Sequence, residues 1–134
     1  MGLEGKRIFV LEDDVTNLAI ISAILRRGGA EIFFDTWGKE TLSVLLKFLP
    51  IHAILLDLNL PNNVSGFDVY DQIHARPELG NIPVIAVTAT DPSIGMKKAR
   101  EKGFNGYITK PIRTKTFVKA MSDILAGQEV WGIR

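Results

Sequence analysis

The stretch IFVLEDDVTN, from Ile8 to Asn17, joins an apolar run directly to three consecutive carboxylates. A strand that ends in Glu12, Asp13 and Asp14 brings like charges together, and their repulsion requires a compensating group elsewhere in the fold. Short apolar runs of the same kind recur along the chain without polar alternation, which is typical of strands buried on both faces. The stretch therefore predicts a buried strand whose carboxyl end carries a charged site.

Strand and helix patterns alternate five times along the chain. The predicted strands are 7–11, 30–34, 53–58, 83–88 and 106–109. The predicted helices are 17–27, 39–49, 67–75, 92–103 and 115–127. This order predicts a three-layer, doubly wound α/β domain, with a parallel sheet covered by helices on both faces. We expect residues 1–134 to form a single domain without an output domain, with a core at about 6–126 and a C-terminal tail at 127–134.

Composition excludes several classes of protein. Sixteen basic and fifteen acidic residues give a formal charge of +1, so no global field draws the chain toward nucleic acid or an anionic membrane. The absence of cysteine excludes a disulfide scaffold, a thiolate metal site and a cysteine nucleophile. No window approaches the roughly 18 apolar residues of a membrane span. We therefore expect a cytoplasmic protein with no membrane insertion and no direct DNA binding.

Polar residues follow most of the predicted strands. Asp57 ends AILLD, Thr88 closes PVIAVT and Lys110 follows GYIT. Because ligand sites of parallel α/β sheets form beyond the carboxyl ends of the strands, we expect these residues to join Glu12 and Asp13 in one site. Such a site combines about three negative charges with one lysine, and its hard carboxylate oxygens suit Mg²⁺, or Mn²⁺, which shares its shell readily with a phosphate. The sequence thus predicts a site for a divalent cation and a phosphoryl group.

Asp57 is the predicted nucleophile of this site. The chain has no cysteine, neither of its two histidines lies at a strand end, and Asp57, which follows AILL, is expected to be the most deeply placed of the carboxylates. Covalent phosphorylation of Asp57 would then be assisted by Lys110, pairing with one phosphoryl oxygen, and by Thr88, donating a hydrogen bond to another.

Four segments, taken in order, resemble the receiver domain of response regulators in two-component and phosphorelay signalling. They are LEDD at 11–14, LLDLNLP at 55–61, VTA at 87–89 and GYITKPI at 106–112. The resemblance covers nearly the whole chain. It implies a flavodoxin-like, five-stranded sheet in the order 2-1-3-4-5, and a role for Asp57 as acceptor of phosphate from a sensor histidine kinase or a histidine phosphotransfer protein.

The resemblance also implies a metal site. By it, Glu12, Asp13, Asp57 and the backbone carbonyl of Asn59 would hold Mg²⁺. Asn59 and Thr90 stand two residues after the acceptor and two after the strand-end threonine, at positions through which the family tunes the lifetime of the phosphoryl group. The lifetime itself does not follow from these two residue types.

A conformational switch is the third implication of the resemblance. Thr88 would move toward the phosphoryl group, Tyr107 would move inward behind it, and the peptide bond between Lys110 and Pro111 would be cis. The surface of the fourth helix, fifth strand and fifth helix would then change for a downstream protein target. The same surface is a candidate for homodimer formation.

Some positions depart from the family pattern or stay open. Asp57 and Gly66 are nine positions apart, one more than is usual, so the segment 61–65 carries an extra residue, and Ser65 stands where the family usually has Asp. The shape of this loop and the cap of the third helix are therefore open. We interpret Asp14 as facing solvent or capping the first helix, and not as a third ligand.

Other functions compete with the receiver interpretation. A phosphatase of the haloacid dehalogenase type shares much of the site but needs a second Asp where Asn59 stands, and a flavodoxin-like FMN protein needs a Ser/Thr/Gly-rich loop in place of LEDDVTN. An unphosphorylated interaction module is the third alternative, and a receiver excised from a larger response regulator or hybrid kinase is the fourth. We expect no conventional enzyme activity beyond the chain's own phosphorylation and dephosphorylation. Trp37 is expected to pack at the start of the second helix, whereas Trp131 either folds back or serves a partner.

Overall fold

Strands and helices alternate along the chain as the sequence predicts. The structure, a computed structural model, describes residues 2–133. The strands in this part are β1 Arg7–Leu11, β2 Glu31–Asp35, β3 Ala53–Leu56, β4 Val84–Thr88, β5 Gly106–Thr109 and β6 Val130–Ile133. The helices are α1 Val15–Arg27, α2 Thr41–Lys47, α3 Gly66–His74, α4 Pro92–Lys102 and α5 Thr114–Leu125. None of these helices combines the length and the apolar character needed to cross a bilayer.

All neighbouring strands of the sheet are parallel, in the order β2-β1-β3-β4-β5-β6. The order predicted for the first five strands is confirmed. The chain passes from β1 to β2 on one side and to β3 on the other, which makes the β1/β3 boundary the switch point where ligand sites form. Leu11 and Leu56, the last residues of these two strands, are register partners, so the residues that follow them emerge side by side.

The sixth strand corrects the prediction of a tail at 127–134. Gly127, at φ 93°, turns the chain after α5, and β6 then pairs with β5, with Tyr107 opposite Trp131. An edge strand presents unpaired backbone groups, and a short apolar segment that follows can satisfy them. The sequence did not reveal β6 because only four residues form it and one of them is Gly132.

Two apolar cores lie on opposite faces of the sheet, as a three-layer fold requires. Leu25 of α1 and Phe117 of α5 belong to the core on one face. Leu45 of α2 and Tyr70 of α3 belong to the core on the other face, together with Ala99 of α4. Each inner strand therefore buries both of its faces, which explains its unbroken apolar sequence.

The start of α1 settles the interpretation of Asp14. Its Oδ1 accepts a hydrogen bond from the backbone N–H of Asn17 at 3.0 Å, which caps the helix and lets it begin at Val15, two residues earlier than predicted. The capping interpretation of Asp14 is confirmed.

Trp37 does not pack at the start of α2, so that prediction was wrong; its side chain is 56% exposed. The turn before α2 is held by the Asp35 carboxylate instead. It accepts hydrogen bonds from the N–H of Thr36 at 2.7 Å, the N–H of Glu40 at 3.0 Å and the hydroxyl of Thr41 at 3.0 Å. Since these polar contacts fix the loop, the indole is not needed there and lies at the surface.

Candidate functional site

The switch point brings three predicted carboxylates together. Glu12 and Asp13 follow β1, Asp57 follows β3, and one carboxylate oxygen of each lies within 4.8 Å of the others. Glu12 is only 1% exposed and Asp57 only 6%, whereas Asp13 is more accessible. Because Leu11 and Leu56 end neighbouring strands in register, the fold itself forces this repulsive cluster to form.

Lys110 is the group that compensates the carboxylates. Its Nζ lies 2.9 Å from Oδ2 of Asp57 and also forms an ion pair with Oε1 of Glu12. Burial acts to lower the pKa of Lys110, but its hydrogen bonds and charge interactions with Asp57 and Glu12 outweigh burial and raise the pKa above its usual value. The lysine is therefore a fixed positive charge at neutral pH.

Glu12, and not Asp57 as the sequence suggested, has the least accessible carboxylate of the cluster, at 1% against 6% exposure. Burial raises its pKa, while the hydrogen bond and charge of Lys110 and the N–H of Asp14 act in the opposite direction. One lysine thus faces two buried carboxylates, and the pocket keeps an excess of negative charge. That excess is what a cation with a preference for oxygen ligands would offset.

The backbone at the ends of β4 and β5 fixes the position of this lysine. The N–H of Lys110 donates to the carbonyl oxygen of Thr88 at 2.9 Å, and the peptide bond between Lys110 and Pro111 is cis. The hydrogen bond continues the pairing of β4 with β5 by one residue, so the lysine side chain leaves β5 at the edge where Glu12 and Asp57 lie.

The loop after β3 accommodates its extra residue away from the acceptor. Asn62 and Asn63 adopt φ angles of 60° and 59°, and the N–H of Val64 donates to the carbonyl of Pro61 at 3.2 Å. Two successive left-handed residues inside such a hydrogen bond are typical of a type I′ turn, where Asn is favoured. At the other end of the loop, the N–H of Asn59 donates to Oδ1 of Asp57 at 3.1 Å, so the carboxylate stays anchored.

Ser65 provides the cap that the sequence left open. Its hydroxyl accepts a hydrogen bond from the N–H of Phe67 at 3.1 Å, which starts α3 at Gly66. Gly66 also packs against the backbone that follows β3. A Cβ there would lie 2.2 Å from the carbonyl oxygen of Asp57 and 2.8 Å from Cα of Leu58. Sequence reasoning used Gly66 only as a spacing marker and missed this contact.

Thr90 connects the predicted switch residues to one another. The hydroxyl of Thr88, which is fully buried, donates to Oγ1 of Thr90 at 3.2 Å, and Nδ2 of Asn59 donates to the same oxygen. The hydroxyl of Tyr107 donates to the backbone carbonyl of Thr90 at 2.8 Å. Two residues named for the switch, Thr88 and Tyr107, therefore form one hydrogen-bonded group with Asn59 and Thr90, which were named for phosphoryl lifetime.

Gly95 makes room for Tyr107, whose side chain is fully buried. A Cβ on Gly95 would lie 2.5 Å from the Tyr107 hydroxyl oxygen, so α4 packs directly on the tyrosine ring. Sequence reasoning missed this contact, although a glycine inside the helical segment PSIGMKK was a signal for close packing.

Tyr107→Phe tests the hydrogen bond to Thr90. We expect it to lower the free energy of unfolding by about 0.5–1.5 kcal/mol, since the part-buried hydrogen bond from the tyrosine to the Thr90 carbonyl is lost. Burial, followed by the charges of Asp91 and Asp57, raises the pKa of Tyr107 to about 12 from the usual 10.0. A group with a raised folded pKa stabilises the protein below its unfolded pKa and loses that contribution as pH rises, here between about 10 and 12.

The measurement is urea unfolding at neutral pH and at several alkaline pH values. Native protein should lose stability faster than Tyr107→Phe as the pH rises above 10, so the gap between them narrows. Parallel alkaline slopes for the two proteins would contradict the buried, hydrogen-bonded tyrosine.

Fold and site together define a doubly wound α/β protein with an acidic, lysine-containing pocket at its switch point. The family profile described as response regulator receiver domain matches residues 8–122. The chain therefore belongs to the response regulator receiver domain family, the class found in two-component signalling.

Individual relatives agree with this assignment. The chain is 32% identical to the polar-differentiation response regulator DivK of Brucella ovis over 120 residues, covering 90% of this chain and 96% of DivK. The chemotaxis response regulator CheY4 of Vibrio cholerae superposes with a TM-score of 0.79 at 20% identity, covering 89% of this chain and 98% of CheY4, which confirms the flavodoxin-like fold. The receiver domain of the sensor histidine kinase PA1611 from Pseudomonas aeruginosa was solved with magnesium coordinated in its active site cleft. It superposes with a TM-score of 0.78 at 26% identity, covering 92% of this chain and 99% of the PA1611 domain.

Proposed function

We propose that Asp57 accepts a phosphoryl group from the phosphohistidine of a sensor histidine kinase or a histidine phosphotransfer protein. The observation that carries this proposal is the state of the Asp57 carboxylate. Asp57 is buried and directly follows β3. Its carboxylate accepts hydrogen bonds from two groups, Lys110 Nζ at 2.9 Å and the N–H of Asn59 at 3.1 Å. A carboxylate fixed in this way beside a permanent positive charge is positioned for in-line attack on phosphorus.

The transfer forms one bond and breaks one. A carboxylate oxygen of Asp57 attacks the phosphorus, a P–O bond forms, and the P–N bond of the phosphohistidine breaks with its electron pair going to the imidazole nitrogen. Lys110 would pair with a phosphoryl oxygen, and the Thr88 hydroxyl would donate to another after leaving Thr90. Water attack at the phosphorus of the acyl phosphate would break its bond to the Asp57 oxygen, release inorganic phosphate and return the carboxylate, so both reactions would change only the chain's own phosphorylation state.

The residues present fit a bound Mg²⁺ or Mn²⁺. The three carboxylates offer oxygens within 4.8 Å of one another, and one lysine leaves their charge only partly compensated. Glu12, Asp13, Asp57 and the carbonyl of Asn59 would hold the ion, by analogy with the magnesium in the PA1611 receiver. When bound, the ion would supply positive charge that offsets the phosphoryl oxygens during transfer.

A haloacid dehalogenase-type phosphatase is less well supported. Such an enzyme needs a general acid two residues after its nucleophile, and the side-chain amide of Asn59 cannot act as a general acid. Its Nδ2 also donates a hydrogen bond to the Thr90 hydroxyl, which fixes its orientation.

The output of the protein is contact with a downstream protein at the face formed by α4, β5 and α5. The homodimer predicted through the same face would have to accommodate β6, which covers the outer edge of β5. Phosphorylation of Asp57 would alter this face through Thr88, Thr90 and Tyr107.

Intact-mass measurement after incubation with acetyl phosphate and Mg²⁺ tests the proposed acceptor. We expect the native protein to gain one phosphoryl group, and Asp57→Asn or native protein in EDTA to gain none. Asp68→Asn, at an exposed position in the first turn of α3, serves as the matched control and should gain the group like native protein. A phosphoryl group on Asp57→Asn, or none on native protein with Mg²⁺ bound, would contradict the proposal.

A further inference from the structure

Strand β6 covers the outer edge of β5 between α4 and α5. The N–H of Val130 donates to the carbonyl of Asn105 at 3.1 Å, and Val130 is buried in the core that faces α5. Trp131 lies opposite Tyr107 in the pairing register and packs against the other core, on the α4 side. The face that the proposed function assigns to partners is therefore occupied by the chain itself.

Trp131 is held by one contact from α4 and one from the residue before β6. The guanidinium of Arg100 lies 4.5 Å from the centre of the indole ring, and the indole N–H donates to Glu129 at 2.9 Å. Tyr107, the register partner of Trp131, packs on Gly95 of the same helix. A displacement of α4 relative to β5 consequently changes the contacts that hold β6.

The contacts of Thr90 link this region to the acceptor. Thr90 receives hydrogen bonds from Asn59, from Thr88 and, at its backbone carbonyl, from Tyr107. If the Thr88 hydroxyl turns to a phosphoryl oxygen, it leaves Thr90, and the segment that begins α4 loses one of its attachments. Gly95 of α4 lies so close to the Tyr107 ring that even a Cβ would not fit between them, so a movement of α4 here also displaces the tyrosine.

The strand itself is weakly fixed. It has four residues, and its register shifts between Tyr107 and Ile108, where Gly132 stands at φ 77°. The preceding Gln128 and Glu129 are exposed. A short edge strand with an irregular register has a low free energy of local opening, so a small loss of contacts can release it.

We propose that β6 is a phosphorylation-sensitive latch, which covers the β5 edge in the unphosphorylated protein and loosens when Asp57 is phosphorylated. The proposal rests on the proposed function of Asp57 and adds the element that controls access to the partner face. Release of the strand exposes the β5 edge together with the α4 and α5 surfaces beside it.

Amide hydrogen exchange of the full chain tests the latch. Samples with and without acetyl phosphate and Mg²⁺ are compared, and the phosphoryl content of each is read by intact mass. We expect the Val130 amide to exchange about tenfold faster in the phosphorylated protein. The amides of β2, the opposite edge strand, should be unchanged, and Asp57→Asn should show no difference at either edge.

Fluorescence in a Trp37→Phe background gives a second reading, because Trp131 is then the single tryptophan of the chain. Its emission should shift to longer wavelength on phosphorylation, as the indole leaves α4 for water. In the unphosphorylated protein, Trp131→Ala should speed exchange of the Val130 amide about tenfold. Phosphorylation of this variant should then increase the exchange rate little further.

The outcomes separate the two proposals. A phosphoryl gain with faster exchange confined to β6 and its neighbours supports the latch. A phosphoryl gain with β6 protection unchanged or increased overturns the latch and leaves Asp57 as acceptor. No phosphoryl gain removes the acceptor role and the latch with it.

Discussion

Lys110→Met should lower the free energy of unfolding by about 3–5 kcal/mol in EDTA, because it leaves two buried carboxylates without their positive partner. The side chains of Glu12 and Asp57 are only 2% and 8% exposed, so water reaches them poorly and compensates weakly for the lost lysine. Methionine keeps an unbranched apolar stem of similar length, so loss of packing contributes little to the effect. Urea unfolding measured at neutral pH gives the difference.

Mg²⁺ should stabilise Lys110→Met more than it stabilises native protein. Binding to the folded state stabilises a protein in proportion to the logarithm of the ligand concentration over its dissociation constant. A pocket with an additional uncompensated charge attracts the cation more strongly, so Mg²⁺ should raise the melting temperature of Lys110→Met more than that of native protein.

Lys97→Met is the matched control, since Lys97 is exposed on α4. It should alter stability by no more than about 0.5 kcal/mol and leave the Mg²⁺ effect unchanged. A loss below about 1 kcal/mol for Lys110→Met would mean that the carboxylates are already neutral or hydrated, and the electrostatic account of the pocket would fail.

The site was largely predictable from sequence because its chemistry sits where strands end. Glu12, Asp57 and Lys110 each follow an apolar run, and parallel topology alone brings strand ends to one edge of the sheet. No knowledge of side-chain contacts was needed to group them. The order of the first five strands, by contrast, came from the resemblance, since nothing in the periodicity of one strand specifies its neighbour.

Contacts that depend on the absence of a side chain were not predictable. Gly66 and Gly95 matter because of the backbone or ring that lies against them, and those neighbours come from distant parts of the sequence. The strand β6 was not predictable for a similar reason, because four residues with an internal glycine form a strand only by pairing with the edge of β5. Tertiary context decided each of these features.

Gly66→Ala should lower the free energy of unfolding by about 2 kcal/mol or more and slow phosphorylation of Asp57. The added Cβ would overlap the carbonyl oxygen of Asp57 at 2.2 Å and crowd Cα of Leu58 at 2.8 Å, and both are backbone atoms that cannot rotate away. Alanine favours helices over glycine by about 0.5–1 kcal/mol, so a net loss requires the overlap to exceed this gain. Relief of the overlap must move either α3 or the residues that follow β3. A movement of the residues after β3 would displace the Asp57 carboxylate from Lys110.

Gly80→Ala is the matched control for this substitution. The nearest atom to a Cβ at Gly80 is the carbonyl oxygen of Arg76 at 3.8 Å, and the residue does not adopt a left-handed conformation. We expect stability to stay level or rise by up to about 1 kcal/mol, because the unfolded chain loses freedom while the folded chain meets no obstacle. Urea unfolding and the rate of phosphoryl gain by intact mass compare both variants with native protein. Equal behaviour of the two variants would show that α3 can shift without moving Asp57, and that Gly66 is not what positions the acceptor.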